Sequence, residues 1–96
     1  IAITAPEDGA SLPKGPTGFT AQASDPYDGP LSGGSLIWRD RYAPDGGAVG
    51  DHALGTGEHV TATLYAGKTG TVHTITATAT NSAGATRSAT ITVTAH

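Results

Sequence analysis

The side chains able to do chemistry are concentrated between Ala23 and Asp40, where the chain reads ASDPYDGPLSGGSLIWRD. Asp25 and Asp28 lie three apart among Pro and Gly, and Asp40 follows the only Trp by two positions. Two carboxylates so close suit a hard cation, since calcium takes about 6–8 oxygens, several of them carboxylate. Asp25, Asp28 and nearby carbonyls could supply part of such a shell. The turns at Gly55-Thr56-Gly57 and at Asn81 to Gly84 would converge on the same pole. The pattern is not that of an EF-hand, because no acidic residue stands between positions 30 and 36. The same residues also read as turn chemistry: Asp before Pro caps a turn, and Asp28-Gly29 offers a position tolerant of φ > 0. Both readings stay open at this level. Tyr27, between the two carboxylates, is the candidate ligand-contacting aromatic.

Other constellations are thinner. His52 and His59 flank a Gly turn with Asp51 and Glu58 beside them, but their spacing matches no zinc motif. His73 opens a strand on its apolar side and reads as a partly buried, hydrogen-bonded residue near a sheet edge. No Ser lies in a Gly-x-Ser-x-Gly elbow. Gly55-Thr56-Gly57 is too short for a phosphate loop and leads into a strand, not a helix. Paired carboxylates for glycoside hydrolysis need a cleft between them, for which a sandwich of this size has little room. The expectation is therefore that the chain is not an enzyme and needs no cofactor, calcium excepted. Lys14 and Asn81 form a nominal isopeptide pair, although Asn81 at a Gly turn suits local backbone bonding better. Tyr27 and Tyr42 read as loop residues at opposite ends of a strand, and Tyr65 as a tie between the Ala66-Gly67 corner and the backbone.

Composition narrows the class. The 96 residues amount to one small domain. With five Lys+Arg and a net charge of −3 there is no electrostatic footprint for nucleic acid or an anionic membrane. No Cys or Met is present, so disulfides, thiol nucleophiles and thiolate metal sites are excluded. No apolar run approaches the roughly 18 residues that a membrane-spanning helix needs. No signal peptide is visible, and IAITA at the start already reads as a strand, as in a domain excised from a longer chain.

The elements that must position these residues are legible from period-two alternation. In His73 to Thr80 (HTITATAT), Ile75, Ala77 and Ala79 face one way and Thr the other. In Ser88 to Ala95 (SATITVTA), Ala89, Ile91, Val93 and Ala95 do the same. β-Branched Thr suits the solvated face of a pleated strand, and one apolar face per strand implies antiparallel sheets buried on one side. Strands are expected at 1–5, 17–24, 35–40, 47–53, 58–65, 71–80 and 85–95, separated by Gly, Pro, Asn and Asp clusters. That is an all-β chain: a seven-stranded antiparallel immunoglobulin-like β-sandwich without a disulfide. Its expected core is Phe19, Leu36, Trp38, Leu64, Ile75, Ile91 and Val93, with Ile37 pointing outward.

The stretches ITAPEDGASLPKG, FTAQASDPYDGPLSGGSLIWRD, LGTGEHVTATLYAGKTGTVHTITATATNSAG and ATITVTA resemble, in this order, the polycystic-kidney-disease (PKD)-like and related bacterial immunoglobulin-like modules. The features that carry the resemblance are Asp25…Asp28-Gly29, Leu36 with Trp38, Gly55-Thr56-Gly57 and His73-Thr74-Ile75-Thr76. Trp38 is followed by Arg39-Asp40-Arg41-Tyr42, which departs from the narrower PKD signature and points to its looser relatives. The resemblance implies one domain over residues 1–96 of a bacterial secreted or cell-surface protein. It implies a non-catalytic spacer or adhesion unit whose partners are neighbouring domains of the same chain. The alternative is a module that recognises a protein or glycan through the Asp25 to Gly34 loop pole, with calcium assisting. Such a sandwich starts at one pole and ends at the other, as suits a bead in a string.

Overall fold

The computed structural model describes residues 1–13, 15–31 and 33–96. Among the described residues the chain is all-β, with ten strands: β1 (Ala2–Ala5), β2 (Ser11–Leu12), β3 (Pro16–Gln22), β4 (Ser24–Asp25), β5 (Gly29–Pro30), β6 (Leu36–Tyr42), β7 (Gly50–Thr56), β8 (His59–Thr63), β9 (Thr71–Thr80) and β10 (Thr86–Ala95). One 3₁₀ turn, Gly33–Ser35, precedes β6. One sheet has the order β1-β3-β8, the second β2-β10-β9-β6-β7, and β4 and β5 form a two-residue hairpin of their own. The architecture is compatible with a β-sandwich, because the two larger sheets share one core.

The longest ladder joins β9 and β10 over ten residue pairs, from Thr86↔Thr80 to Ala95↔Thr71. Every inward position of β9, from Thr71 to Ala79, is buried, and its alternate residues are more open. The outward residues pair as hydroxyl ladders, with Thr78 Oγ1 2.9 Å from Ser88 Oγ and Thr76 Oγ1 3.2 Å from Thr90 Oγ1. Leu36, Trp38 and Asp40 occupy the inward positions of β6, and Ile37 is exposed. From the other sheet, Phe19 and Ala21 of β3 and Val60 of β8 complete the core with Leu64, Ile75, Ala77, Ile91 and Val93. The Phe19 and Trp38 rings meet across the sheets at 5.9 Å.

Three features differ from the period-two reading. The fourth long strand runs over 50–56 rather than 47–53, because Gly47 N–H donates to the Pro44 carbonyl and closes a turn first. β7 then absorbs Gly55, where φ is +150° and a Cβ would lie 3.3 Å from Val60. The ladders are not all antiparallel: β2 pairs parallel with β10 through Ser11↔Thr94 and Leu12↔Ala95. The N-terminal segment thus leaves one sheet after β1 and joins the other at β2. Finally, the described residues form ten strands in sheets of three, five and two, because the two-residue strands β2, β4 and β5 are too short to carry alternation.

Candidate functional site

Two polar clusters occupy opposite poles. At the first, the Asp25 to Leu31 loop is fastened to the β9–β10 turn. Asp25 Oδ1 accepts from the backbone N–H of Tyr27 (2.8 Å) and of Asp28 (3.0 Å). Asp25 Oδ2 accepts from the Asn81 amide at 2.8 Å. Asp28 accepts from Ser82 twice, at 2.7 Å from its backbone N–H and at 2.8 Å from its hydroxyl. Gly29, at φ +73°, turns the chain back into β5, a conformation that strains residues with a Cβ. Asn81 Oδ1 accepts from the N–H groups of Ala83 and Ala85, closing its own turn. Tyr27 stands at the tip, 96% exposed. Ile1, Pro26, Leu31, Ala79 and Arg87 line a small cleft beside it.

The chemistry of this pole is that of an anion held by hydrogen bonds. Each of the four carboxylate oxygens already receives an N–H or O–H donor. The Asn81 amide, then the backbone N–H groups of Asp28 and Tyr27, hold the Asp25 carboxyl below its ordinary 3.8. A lowered carboxyl contributes stability above the ordinary value and loses it as pH falls through the folded value. Asp25→Ala is therefore expected to melt below the wild type at neutral pH, with the gap closing as pH drops below 3.8. Thermal midpoints of both proteins across that range are the check, and a gap independent of pH would mean that the carboxylate charge is not the agent. Among the described residues, no group of three or more His, Asp or Glu side chains converges as a metal site. Lys14, the nominal isopeptide partner, lies outside the described residues.

At the second pole, Asp40 and His73 form a buried pair. His73 is 0% exposed and Asp40 3%. His73 Nδ1 lies 2.7 and 2.9 Å from the two Asp40 oxygens, and its Nε2 lies 2.7 Å from the Tyr65 carbonyl. Burial pushes the Asp40 carboxyl above its ordinary 3.8, while the His73 hydrogen bond and the charges of His73 and His52 pull it down. Tyr42 lies against the His73 ring at 4.6 Å, the His52 ring at 4.6 Å and the Tyr65 ring at 5.5 Å. Tyr65 Oη accepts from the Asp45 backbone N–H at 3.0 Å, and Asp45 Oδ2 accepts from Lys68 N–H at 2.9 Å. An Asp–His pair is the kind used for general acid–base work, but both ring nitrogens here are taken up inside the protein.

Several sequence expectations are corrected here. His73 does not lie near a sheet edge, since β9 is the middle strand of its sheet. Tyr42 closes β6 within an aromatic stack and is not a loop residue. Tyr65 does tie its corner to backbone, as expected, through the Asp45 N–H twenty residues upstream. His52 and His59 stand on strands of different sheets. Asp40 was missed as a site residue, although parity carries the signal: Leu36, Trp38 and Asp40 share one side of a strand, as His73 and Ile75 do. Asp25, Tyr27 and Asp28 are brought together with Asn81 and Ser82. No protein-family model, curated protein or solved structure matches this chain.

Proposed function

We propose that this chain is a non-catalytic immunoglobulin-like module that serves as a spacer or adhesion unit in a bacterial secreted or cell-surface protein. The observation that carries this reading is the placement of the ends on an elongated body. Ile1 sits beside Asp25 and Asn81, His96 sits beside Leu12 and Gly70, and the body measures 46 × 23 × 18 Å. The sheet orders β1-β3-β8 and β2-β10-β9-β6-β7, with the first strand divided between sheets, support the immunoglobulin-like assignment.

Force applied at the two ends would shear β2 along β10. Besides the β2–β10 ladder itself, the load would fall on Gly9 N–H to Thr92 O, Thr94 N–H to Ala10 O, His96 N–H to Leu12 O and Thr92 N–H to Asp8 Oδ1. Pulling a tandem repeat of the module through its ends is expected to give one resolved rupture per copy, at a lower force in Asp8→Ala. A tandem that extends with no resolved ruptures would overturn the load-bearing spacer reading.

A second reading, a binding module at the opposite pole, is favoured by Tyr27. An aromatic ring 96% exposed sits on a loop held by five side-chain hydrogen bonds, so the backbone that presents it to a partner is already ordered. A protein ligand suits it better than a glycan, since the remaining aromatics are buried or stacked at the other pole. Calcium bound here would compete with those same donors. Tyr27→Ala is expected to change stability by less than about 0.5 kcal/mol while abolishing any hit on a protein array. An array hit that survives the substitution would place binding elsewhere.

A further inference from the structure

We infer that the fold contains a proton-dependent latch, in which the Asp40–His73 pair must hold one shared proton for the Tyr65 segment to stay docked on the five-stranded sheet. The two contacts of His73 fix how many hydrogens the pair holds. The Tyr65 carbonyl has none, so His73 Nε2 must carry the hydrogen in their 2.7 Å bond. The contacts from Nδ1 to Asp40, at 2.7 and 2.9 Å, need a second hydrogen, whether it rides on the nitrogen or on the carboxyl. The pair therefore carries one titratable proton and no net charge, as its burial demands.

The segment held this way is the connection 64–70, which crosses from β8 in one sheet to β9 in the other. It is tied down by His73 on the Tyr65 carbonyl, by the Tyr42–Tyr65 stack and by Asp45. Tyr42 of β6, His52 of β7, Tyr65 of the connection and Asp45 behind it are the titratable groups around the pair. β9 and β10 contribute Ile75 and Val93, which are apolar. Arg41 and Asp51, between these positions in sequence, pair with each other in solvent. Among the described residues, His52 is the neighbour whose charge, beside that of His73, acts on the Asp40 carboxyl.

Linkage sets the sign. In the unfolded chain Asp40 is ionised above about 4 and the imidazole gives up its proton near pH 6.5. Between those values both states hold one proton, and the pair adds no pH dependence. Above about 6.5 folding takes a proton up, so stability falls as pH rises. Below about 4 the unfolded chain holds the extra proton, so stability falls as pH drops.

The test compares urea unfolding of the wild type, the double variant Asp40→Leu/His73→Leu and His52→Gln between about pH 5 and pH 9. In the wild type and in His52→Gln the unfolding constant should rise above pH 6.5 with a slope approaching tenfold per unit. The double variant should lack that component. Equal slopes in the wild type and the double variant would overturn the latch. Amide exchange supplies a second reading. The N–H groups of Gly67, Lys68 and Gly70 donate to Thr71 Oγ1, Asp45 Oδ2 and the Gly67 carbonyl, bonds that form only while the segment is held. Their protection, corrected for intrinsic rates, should drop in the wild type at the alkaline end while that of β9 and β10 persists. Protection of these amides that stays constant with pH would refute the release of the segment.

Discussion

Replacing Trp38 with alanine is expected to lower the unfolding free energy by about 3–5 kcal/mol. The side chain is the largest in the core and is fully buried, and Phe19 lies against it at 5.9 Å across the sheets. Its Nε1–H donates to the Gly57 carbonyl at 2.8 Å, and the Gly57 N–H in turn donates to the Leu36 carbonyl at 2.9 Å. Deleting the ring therefore opens a cavity between the sheets and strands a carbonyl at the β7–β8 turn. A small domain has about 5–15 kcal/mol in total, so the variant sits close to unfolding. Trp38→Phe separates the two effects: it keeps most of the volume, loses the donor and should cost markedly less. Urea midpoints at constant slope are the measurement, and a midpoint unchanged in Trp38→Ala would remove the residue from the core.

Asp40→Ala is expected to cost about as much, roughly 3–5 kcal/mol, since it leaves His73 buried with an unpaired Nδ1. The informative comparison is with removal of both partners. Asp40→Leu/His73→Leu replaces a buried polar pair by apolar side chains of similar bulk, and such replacements are often neutral or stabilising. The double variant should therefore recover most of what the single one loses at neutral pH. If it stays as unstable as Asp40→Ala, the loss comes from packing around position 40 and not from the unpaired His73 nitrogen. Because the pair also fastens Tyr65, near-native stability in the double variant should coexist with faster amide exchange in 64–70.

These two sites differ in how legible they were. Trp38 follows from local information: alternation places Leu36, Trp38 and Asp40 on one side of β6, and an apolar side must be buried. The same parity placed Ile75 and Val93 inward and Ile37 outward. The Asp40–His73 contact needs more than parity. It spans 33 residues and depends on β6 and β9 being sheet neighbours, with Asp40 opposite Ile75 in the register. Nothing in either strand specifies its neighbour. The Asn81 to Gly84 turn was expected at the same pole as Asp25 and Asp28, but the particular Asp28–Ser82 and Asp25–Asn81 bonds, spanning 54 and 56 residues, were not legible. Turn chemistry at Asp25 was visible, because its bonds to Tyr27 and Asp28 N–H are local.

Side-chain alternation, turn residues and composition were enough to determine an all-β chain, the approximate place of most of its longer strands and the largest side chains of its core. These properties depend on a period of two within one strand and on the burial preference of each side chain, both carried by neighbours in sequence. The tertiary structure alone decided the partition into sheets and the parallel β2–β10 pair. It also decided which polar side chains meet at each pole. Those outcomes depend on strand order and register, which the chain settles by packing two apolar faces against each other. Asp25 and Asp28 thereby became staples for the Tyr27 loop, and Asp40 became the partner that a fully buried histidine requires.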